Sequence, residues 1–164
     1  MAGNPILGLL LAPLVLATLA VALLAAPVVL AWKRWRSASL RRRFEAKWGR
    51  EGKVGLLVYS NSPHWQEYVE TRWRPHLADR MVVLNWSERS RWPDAAPLEA
   101  KIHAHWAGDR EFNPVAIVFP AGARPVVLRF WKPFRDYRHG RAGALIAAET
   151  ELARLTGATG IGVP

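Results

Sequence analysis

The sequence of 164 residues contains no cysteine. Because thiol–disulfide exchange requires a thiolate as the nucleophile, this absence excludes disulfide oxidoreductase chemistry for the chain. The chain also offers no disulfide from which an oxidising or reducing compartment could be inferred. Any activity must therefore work without a protein thiol.

Charged residues are absent from a long stretch near the N-terminus, Ile6 to Ala31, in which Thr18 is the only polar side chain. As a helix the stretch would rise about 39 Å, which exceeds the roughly 30 Å of a hydrocarbon core. We therefore expect residues 1–32 to form a transmembrane anchor. A cleaved signal peptide is the alternative, but no Lys or Arg precedes the run, and the run is too long.

Small side chains at a spacing of four residues occur in two sets within this predicted helix. They are Thr18, Ala22 and Ala26, with Gly8 and Ala12 nearer the N-terminus. Such spacing lets two membrane helices approach closely, although alanine is abundant enough here for the pattern to arise by chance. We expect Thr18, Ala22 and Ala26 to form a helix-packing face, with other membrane protein subunits as partners.

Acidic residues are fewer than basic ones, 13 against 23, which gives a formal net charge of +10. Most of the excess lies directly after the apolar stretch, in the basic juxtamembrane segment 33–52, and basic flanks stay in the cytoplasm. We therefore expect a single-pass protein of the cell (inner) membrane, with its N-terminus outside and its C-terminal domain cytoplasmic. The residues expected at the interface with anionic lipid head groups are Trp32, Lys33, Arg34, Trp35 and Arg36.

The strongly basic composition could instead indicate nucleic-acid binding. Outside segment 33–52, however, basic and acidic groups nearly balance. We therefore expect no nucleic-acid partner.

The rest of the sequence alternates between helical and strand patterns. Leu40, Phe44 and Trp48 recur every four residues and predict an amphipathic helix. The apolar run from Val54 to Tyr59 predicts a strand buried on both faces of a sheet. The patterns that follow predict helices over residues 65–78, 97–106 and 141–155, and strands over residues 81–86, 115–119 and 125–131.

This order of elements defines an α/β fold class. Two crossover units come first, and the short link between the last two strands makes those strands antiparallel. We therefore expect a mixed four-stranded sheet with helices on both faces, over residues 53–157, followed by a tail at 158–164.

The loop after the first strand resembles that of the thioredoxin-like superfamily, and the resemblance covers residues 37–156. Glutaredoxin-type members carry a Cys-Pro-Tyr-Cys motif after a strand that ends in Tyr-Ser or Tyr-Thr, and here residues 59–65 read YSNSPHW. Ser62 stands where the attacking cysteine would be, and Trp65 where the resolving cysteine would be. The resemblance implies a thioredoxin-like domain without the redox cysteines.

A second point of resemblance is the Asn113–Pro114 pair before the third predicted strand. The superfamily has a cis-proline there, facing the redox motif. The resemblance therefore implies a cis bond at Asn113–Pro114 and a pocket between Pro114 and Ser62.

Ser62 is the one candidate nucleophile in this pocket. A nucleophilic serine needs an adjacent base and an oxyanion hole, but His64 is only two residues away and would not share its helix face. Capping of the next helix by Ser62 is the simpler explanation. His76 and Asp79 have a ligand-like spacing without an evident third ligand, so we expect no metal site and no other cofactor.

The candidate binding residues come from two places. The pocket offers Ser62, His64, Trp65, Asn113 and Pro114. Residues 132–141, KPFRDYRHGR, follow a strand and precede a helix. Their arginines suit a phosphate or an acidic partner, or they form a solvated loop paired with Asp136. The candidates from this segment are Arg135, Tyr137 and Arg138.

Two functions remain open from the sequence. The first is a redox-inactive, membrane-tethered module that acts as a binding, accessory or assembly subunit of a membrane protein complex. The second is an enzyme that binds a glutathione-like thiol or an anion in the pocket of Ser62 and Pro114. We expect the first, because no residue pattern supplies a nucleophile with its base.

Overall fold

The structure, a computed structural model, describes residues 5–92, 96–108 and 113–161, with side chains described at residues 18 and 19 and from residue 21 onward within those ranges. The chain divides into two units, Met1–Ser39 and Leu40–Pro164.

Helix α1 (Pro5–Trp48) forms all of the first unit that the structure describes. Within this first unit the described apolar side chains are exposed, and Leu23 and Leu24 are 75% and 76% exposed. Trp32 and Trp35 are also exposed, and their ring centroids lie 5.1 Å apart.

The predicted transmembrane anchor is wrong for the part of the chain that the structure describes, where no helix is both long and apolar enough to cross a membrane. The beginning of the predicted span, with Gly8 and Ala12, lies outside the described side chains. The predicted orientation across a membrane depended on this span and has no support without it.

The second unit is built on a four-stranded sheet in the order β2-β1-β3-β4. Its strands are β1 (Gly55–Tyr59), β2 (Met81–Asn85), β3 (Val115–Val118) and β4 (Val126–Arg129). β1 is parallel to β2, β3 is antiparallel to β1, and β4 is antiparallel to β3. The α/β class and the mixed four-stranded sheet are therefore as predicted.

Helices cover both faces of this sheet. They are α2 (Gln66–Tyr68), a π-helical turn (Val69–Trp73), α3 (Arg74–Leu77), α4 (Leu98–Trp106), α5 (Trp131–Arg138) and α6 (Gly143–Thr156), with 3₁₀ turns at Gly49–Glu51 and Trp86–Arg91. Alternate strand residues point to opposite faces. Leu57 and Tyr59 pack with the π turn, α5 and α6, whereas Leu56 and Val58 pack with α4 and the last turns of α1.

Two connections differ from the prediction. β3 runs antiparallel to β1, so only the first predicted crossover is a parallel one; a strand buried on both faces carries no sign of its direction in its sequence. The stretch predicted as the end of a strand and a loop contains α5 instead. Pro133 lies in the first turn of α5, where a missing N–H costs nothing, and Phe134 is buried.

Candidate functional site

The candidate site lies at the C-terminal ends of the parallel strands β1 and β2. The side-chain amide of Asn85 donates a hydrogen bond of 2.6 Å to Oδ1 of Asn61, and the backbone N–H of Asn61 donates one of 2.9 Å to the Ser87 hydroxyl. Ser87 N–H in turn donates to Oδ1 of Asn85 at 3.0 Å. These bonds tie the loops after the two strands together, so the chain enters the next helix from a fixed position.

Ser62 closes the first turn of this entry. Its carbonyl accepts hydrogen bonds from the backbone N–H groups of Trp65 (3.2 Å) and Gln66 (2.9 Å), and its hydroxyl oxygen accepts one from His64 N–H at 3.4 Å. The helix begins at Gln66, with Trp65 at its N-cap position. Ser62 is therefore a turn residue and not the predicted N-cap, because the helix starts later than the sequence pattern indicated.

Two open cavities meet at His64 and Trp65. The first, here called the tyrosine cleft, has a volume of about 250 Å³ and is lined by Pro63, His64, Trp65, Glu67, Tyr68, Thr71, Arg72 and Tyr137. The second, the arginine cleft, has a volume of about 270 Å³ and is lined by His64, Trp65, Trp131, Phe134, Arg135 and Arg138. Of the predicted binding residues, the structure therefore brings together His64, Trp65, Arg135, Tyr137 and Arg138.

Helix α5 positions one wall of both clefts through aromatic packing. Phe134 is buried, and its ring centroid lies 5.2 Å from that of Tyr68 and 6.4 Å from that of Trp65. Tyr137 contacts Tyr68 with 5.8 Å between centroids. Since Phe134 anchors α5, the side chains around it are presented to the clefts from a rigid helix.

The two clefts differ in charge. The arginine cleft has two guanidinium groups and no acidic side chain in its lining, whereas the lining of the tyrosine cleft includes both Arg72 and Glu67. Arg135 stacks over Trp131, with its Cζ 5.1 Å from the ring centroid, and Arg72 lies 5.5 Å from that of Tyr68. Such stacking holds a guanidinium in place while its N–H groups stay available.

Asp136 is the acidic residue nearest in sequence to Arg135 and Arg138, the two arginines of the arginine cleft. It forms ion pairs with Arg141 at 3.0 Å and Arg135 at 3.6 Å. The hydrogen bond from Arg141 and the neighbouring positive charges hold the pKa of Asp136 below its usual value. Within the described part of the chain, the side chain of Arg138 has no ion pair or hydrogen bond.

Two partly buried hydrogen bonds between tyrosine and glutamate side chains hold the helix that carries the tyrosine cleft. Tyr68 OH donates to Glu149 Oε1, and burial together with this bond raises the pKa of Tyr68 above its ordinary value. Tyr59 OH donates to Glu70 at 3.2 Å, and burial followed by the charge of Glu70 raises the pKa of Tyr59 as well. Both phenols therefore stay protonated as structural donors.

Asn113 and Pro114 line neither of the two clefts. The Asn113–Pro114 bond is cis, as predicted. Both residues are buried, the Pro114 carbonyl accepts the Phe130 N–H at 2.9 Å, and Oδ1 of Asn113 has no partner among the described residues. The lining of neither cleft includes Ser62, Asn113 or Pro114.

The remaining predicted site residues lie on α1, outside the second unit. Those expected to pack, Thr18, Ala22 and Ala26, are exposed, as are those expected at a membrane interface, Trp32, Lys33, Arg34, Trp35 and Arg36. Among the described residues, no group of three His, Asp or Glu side chains is arranged to hold a metal ion.

The sequence interpretation missed Tyr68, Arg72 and Phe134 as site residues. Tyr68 falls within the helix predicted over residues 65–78, and Phe134 within segment 132–141, whose candidate binding residues are Arg135, Tyr137 and Arg138. One signal was available for Arg72: it follows Tyr68 by four residues, the spacing at which helix neighbours meet.

In comparisons with known proteins, no family model, no curated protein and no solved structure matches this chain.

Proposed function

We propose that this protein is a redox-inactive binding module of the thioredoxin-like class, which binds a partner at the tyrosine and arginine clefts. The observation that carries the proposal is the meeting of two open cavities at His64 and Trp65, on the loop where redox members of that class hold their cysteines. This chain has none.

The sheet order supports the class. The parallel pair β2 and β1 forms one side of the sheet and is followed by β3, antiparallel to β1, and β4, antiparallel to β3, with helices on both faces. Loops at the C-terminal ends of such strands commonly carry binding sites.

The composition of the clefts supports binding of a macromolecule. Trp131 and Tyr137 are 39% and 43% exposed although both are large aromatic residues. Exposed aromatic side chains beside arginines are typical of the centres of protein interfaces. Small-molecule sites usually enclose most of their ligand, and neither cleft is enclosed.

The enzymatic alternative has less support. It required Ser62 and Pro114 to share a pocket, and neither residue lines the tyrosine cleft or the arginine cleft. The Ser62 hydroxyl oxygen accepts a backbone N–H, which is the behaviour of a turn residue.

Site-specific photo-crosslinking in native cells tests the proposal. Thr71→benzoylphenylalanine and Tyr137→benzoylphenylalanine place the probe at the tyrosine cleft, and Thr150→benzoylphenylalanine places it on the exposed surface of α6. We expect the same discrete protein adduct from both cleft positions and none from Thr150. Loss of that adduct when Arg138→Gln is added would tie it to the clefts.

The proposal fails if the cleft positions give no discrete adduct, or the same adducts as Thr150. It also fails if the purified full chain reduces insulin, since redox activity would then exist without cysteine.

A further inference from the structure

We infer that the arginine cleft binds the C-terminal residue of a partner protein, with the terminal carboxylate on the guanidinium groups of Arg135 and Arg138 and an apolar last side chain against Trp65 and Trp131. This inference rests on the proposed binding function and names the chemical class of its ligand.

The charge of the cleft requires an anionic group. Both of its fixed charges are guanidinium groups, whose planar N–H forks match a carboxylate. Arg135 is oriented by its stack over Trp131 and keeps one ion pair, to Asp136. Arg138 has no ion pair within the described residues, so its charge is available to a ligand.

The aromatic walls require an apolar group next to that anion. Trp65, Trp131 and Phe134 line the same cavity of about 270 Å³ as the two arginines. The carboxylate and the apolar side chain must therefore be close together on the ligand.

A C-terminal residue meets this condition directly. Its carboxylate and its side chain leave the same Cα atom, whereas an internal Asp or Glu carries its charge on the side chain that would have to fill the aromatic pocket. Capture of terminal carboxylates is an established mode of peptide recognition. The adjoining tyrosine cleft, with both Arg72 and Glu67, then suits the polar residues that precede the terminus.

Four N-terminally labelled hexapeptides test the inference by fluorescence anisotropy with the full chain. The first ends in leucine with a free carboxylate, and the second is its C-terminal amide. The third is an amide with an internal glutamate beside the leucine, and the fourth is a free acid that ends in serine. We expect the first to bind and each of the others to bind at least about tenfold more weakly, because a charged hydrogen bond or the apolar contact is lost.

A matched pair of variants locates the binding. Arg138→Gln should reduce binding of the first peptide to that of its amide. Arg124→Gln removes the same charge from an exposed position that lines neither cleft, and should leave binding unchanged. Thermal melting of both variants checks that they are folded.

Equal binding of the free acid and its amide overturns the inference, as does equal binding of the internal glutamate. If acetyl-leucine alone binds as tightly as the hexapeptide, the ligand is a small carboxylate rather than a protein terminus. Discrete crosslinks from Thr71 and Tyr137 together with any of these results would leave the binding function standing and reject the C-terminal ligand.

Discussion

The hydroxyl of Tyr68 donates a hydrogen bond of 2.9 Å to Oε1 of Glu149, a side chain that is only 1% exposed. The indole N–H of Trp73 donates to the same oxygen at 2.7 Å. Tyr68 and Trp73 are five residues apart, and the π-helical turn between them brings positions of that spacing together. Glu149 therefore joins α6 to the helix that carries the tyrosine cleft.

Removal of the Tyr68 hydroxyl should destabilise the fold. Tyr68→Phe leaves the buried Glu149 with one donor fewer, and we expect the free energy of unfolding to fall by about 1–3 kcal/mol in urea denaturation. Tyr137→Phe is the control, because Tyr137 is exposed and its hydroxyl makes no hydrogen bond within the described part of the chain. Equal losses from both variants would contradict the role assigned to Glu149.

The same hydrogen bond predicts a dependence of stability on alkaline pH. Burial and Glu149 raise the pKa of Tyr68 in the folded state, whereas the unfolded chain titrates near 10. The unfolded chain thus loses this proton first, so the stabilisation is complete below pH 10 and is lost as pH rises above about 10 toward the folded-state pKa. Urea denaturation at a series of alkaline pH values should show this fall.

Tyr68→Phe provides the control for this pH dependence. Its unfolding free energy should fall less steeply above pH 10, although the raised pKa of Tyr59 keeps part of the slope. An unchanged slope in Tyr68→Phe would exclude Tyr68 as its source.

The buried elements could be predicted closely from sequence because burial leaves a periodic trace. The continuous apolar run predicted β1 to within one residue, and the four-residue spacing of Leu40, Phe44 and Trp48 predicted that all three lie inside, where each is less than 9% exposed. These patterns record which face is buried. They do not record strand direction, which explains the unexpected course of β3.

The site was only partly predictable. His64 and Trp65 lie at the end of the short loop after β1, so their position at the sheet edge could be predicted from the sequence. Helix α5 could not be found in this way, since Pro133 and the surrounding charged residues resemble a loop and only Phe134 is buried. The contact between α5 and Trp65 joins residues about 70 positions apart in the chain. Local sequence patterns carry no information about a contact of that range.

Gly55 is a position where any side chain should be costly. A Cβ atom there would lie 2.5 Å from the Ile117 carbonyl oxygen and 3.0 Å from Val118 Cα, both backbone atoms of the paired strand β3. We expect Gly55→Ala to lower the free energy of unfolding by about 1–3 kcal/mol or more, because the strands must separate to make room.

Gly143→Ala is the matched control for Gly55→Ala. Gly143 begins α6 with no atom within 4 Å of an added Cβ, so this substitution should be neutral or stabilising by up to about 1 kcal/mol. Chemical denaturation of the two variants separates the steric effect from the general effect of replacing glycine. Equal stabilities would show that β1 and β3 can relax apart without cost.

Arg41 is a basic residue of α1 whose guanidinium group makes three hydrogen bonds. Its Nη1 and Nη2 donate to the carbonyl oxygens of Ala123 (2.6 Å) and Pro120 (2.8 Å), which flank the turn between β3 and β4, while Nε donates to Glu45 at 2.7 Å. All three sets of donors are used, and the guanidinium fork reaches two carbonyl groups at once.

Substitution of Arg41 should therefore cost more than loss of a surface charge. We expect Arg41→Gln to lower the free energy of unfolding by about 1–3 kcal/mol, since bonds from a charged donor are lost, and Arg41→Lys to restore only part of it because an ammonium group lacks the fork. Arg43→Gln, an equal charge change at an exposed neighbour, should stay within about 0.5 kcal/mol of the parent. If urea denaturation gives Arg41→Gln and Arg43→Gln the same free energy of unfolding, the loss of net charge, and not the loss of the two carbonyl hydrogen bonds, causes the effect.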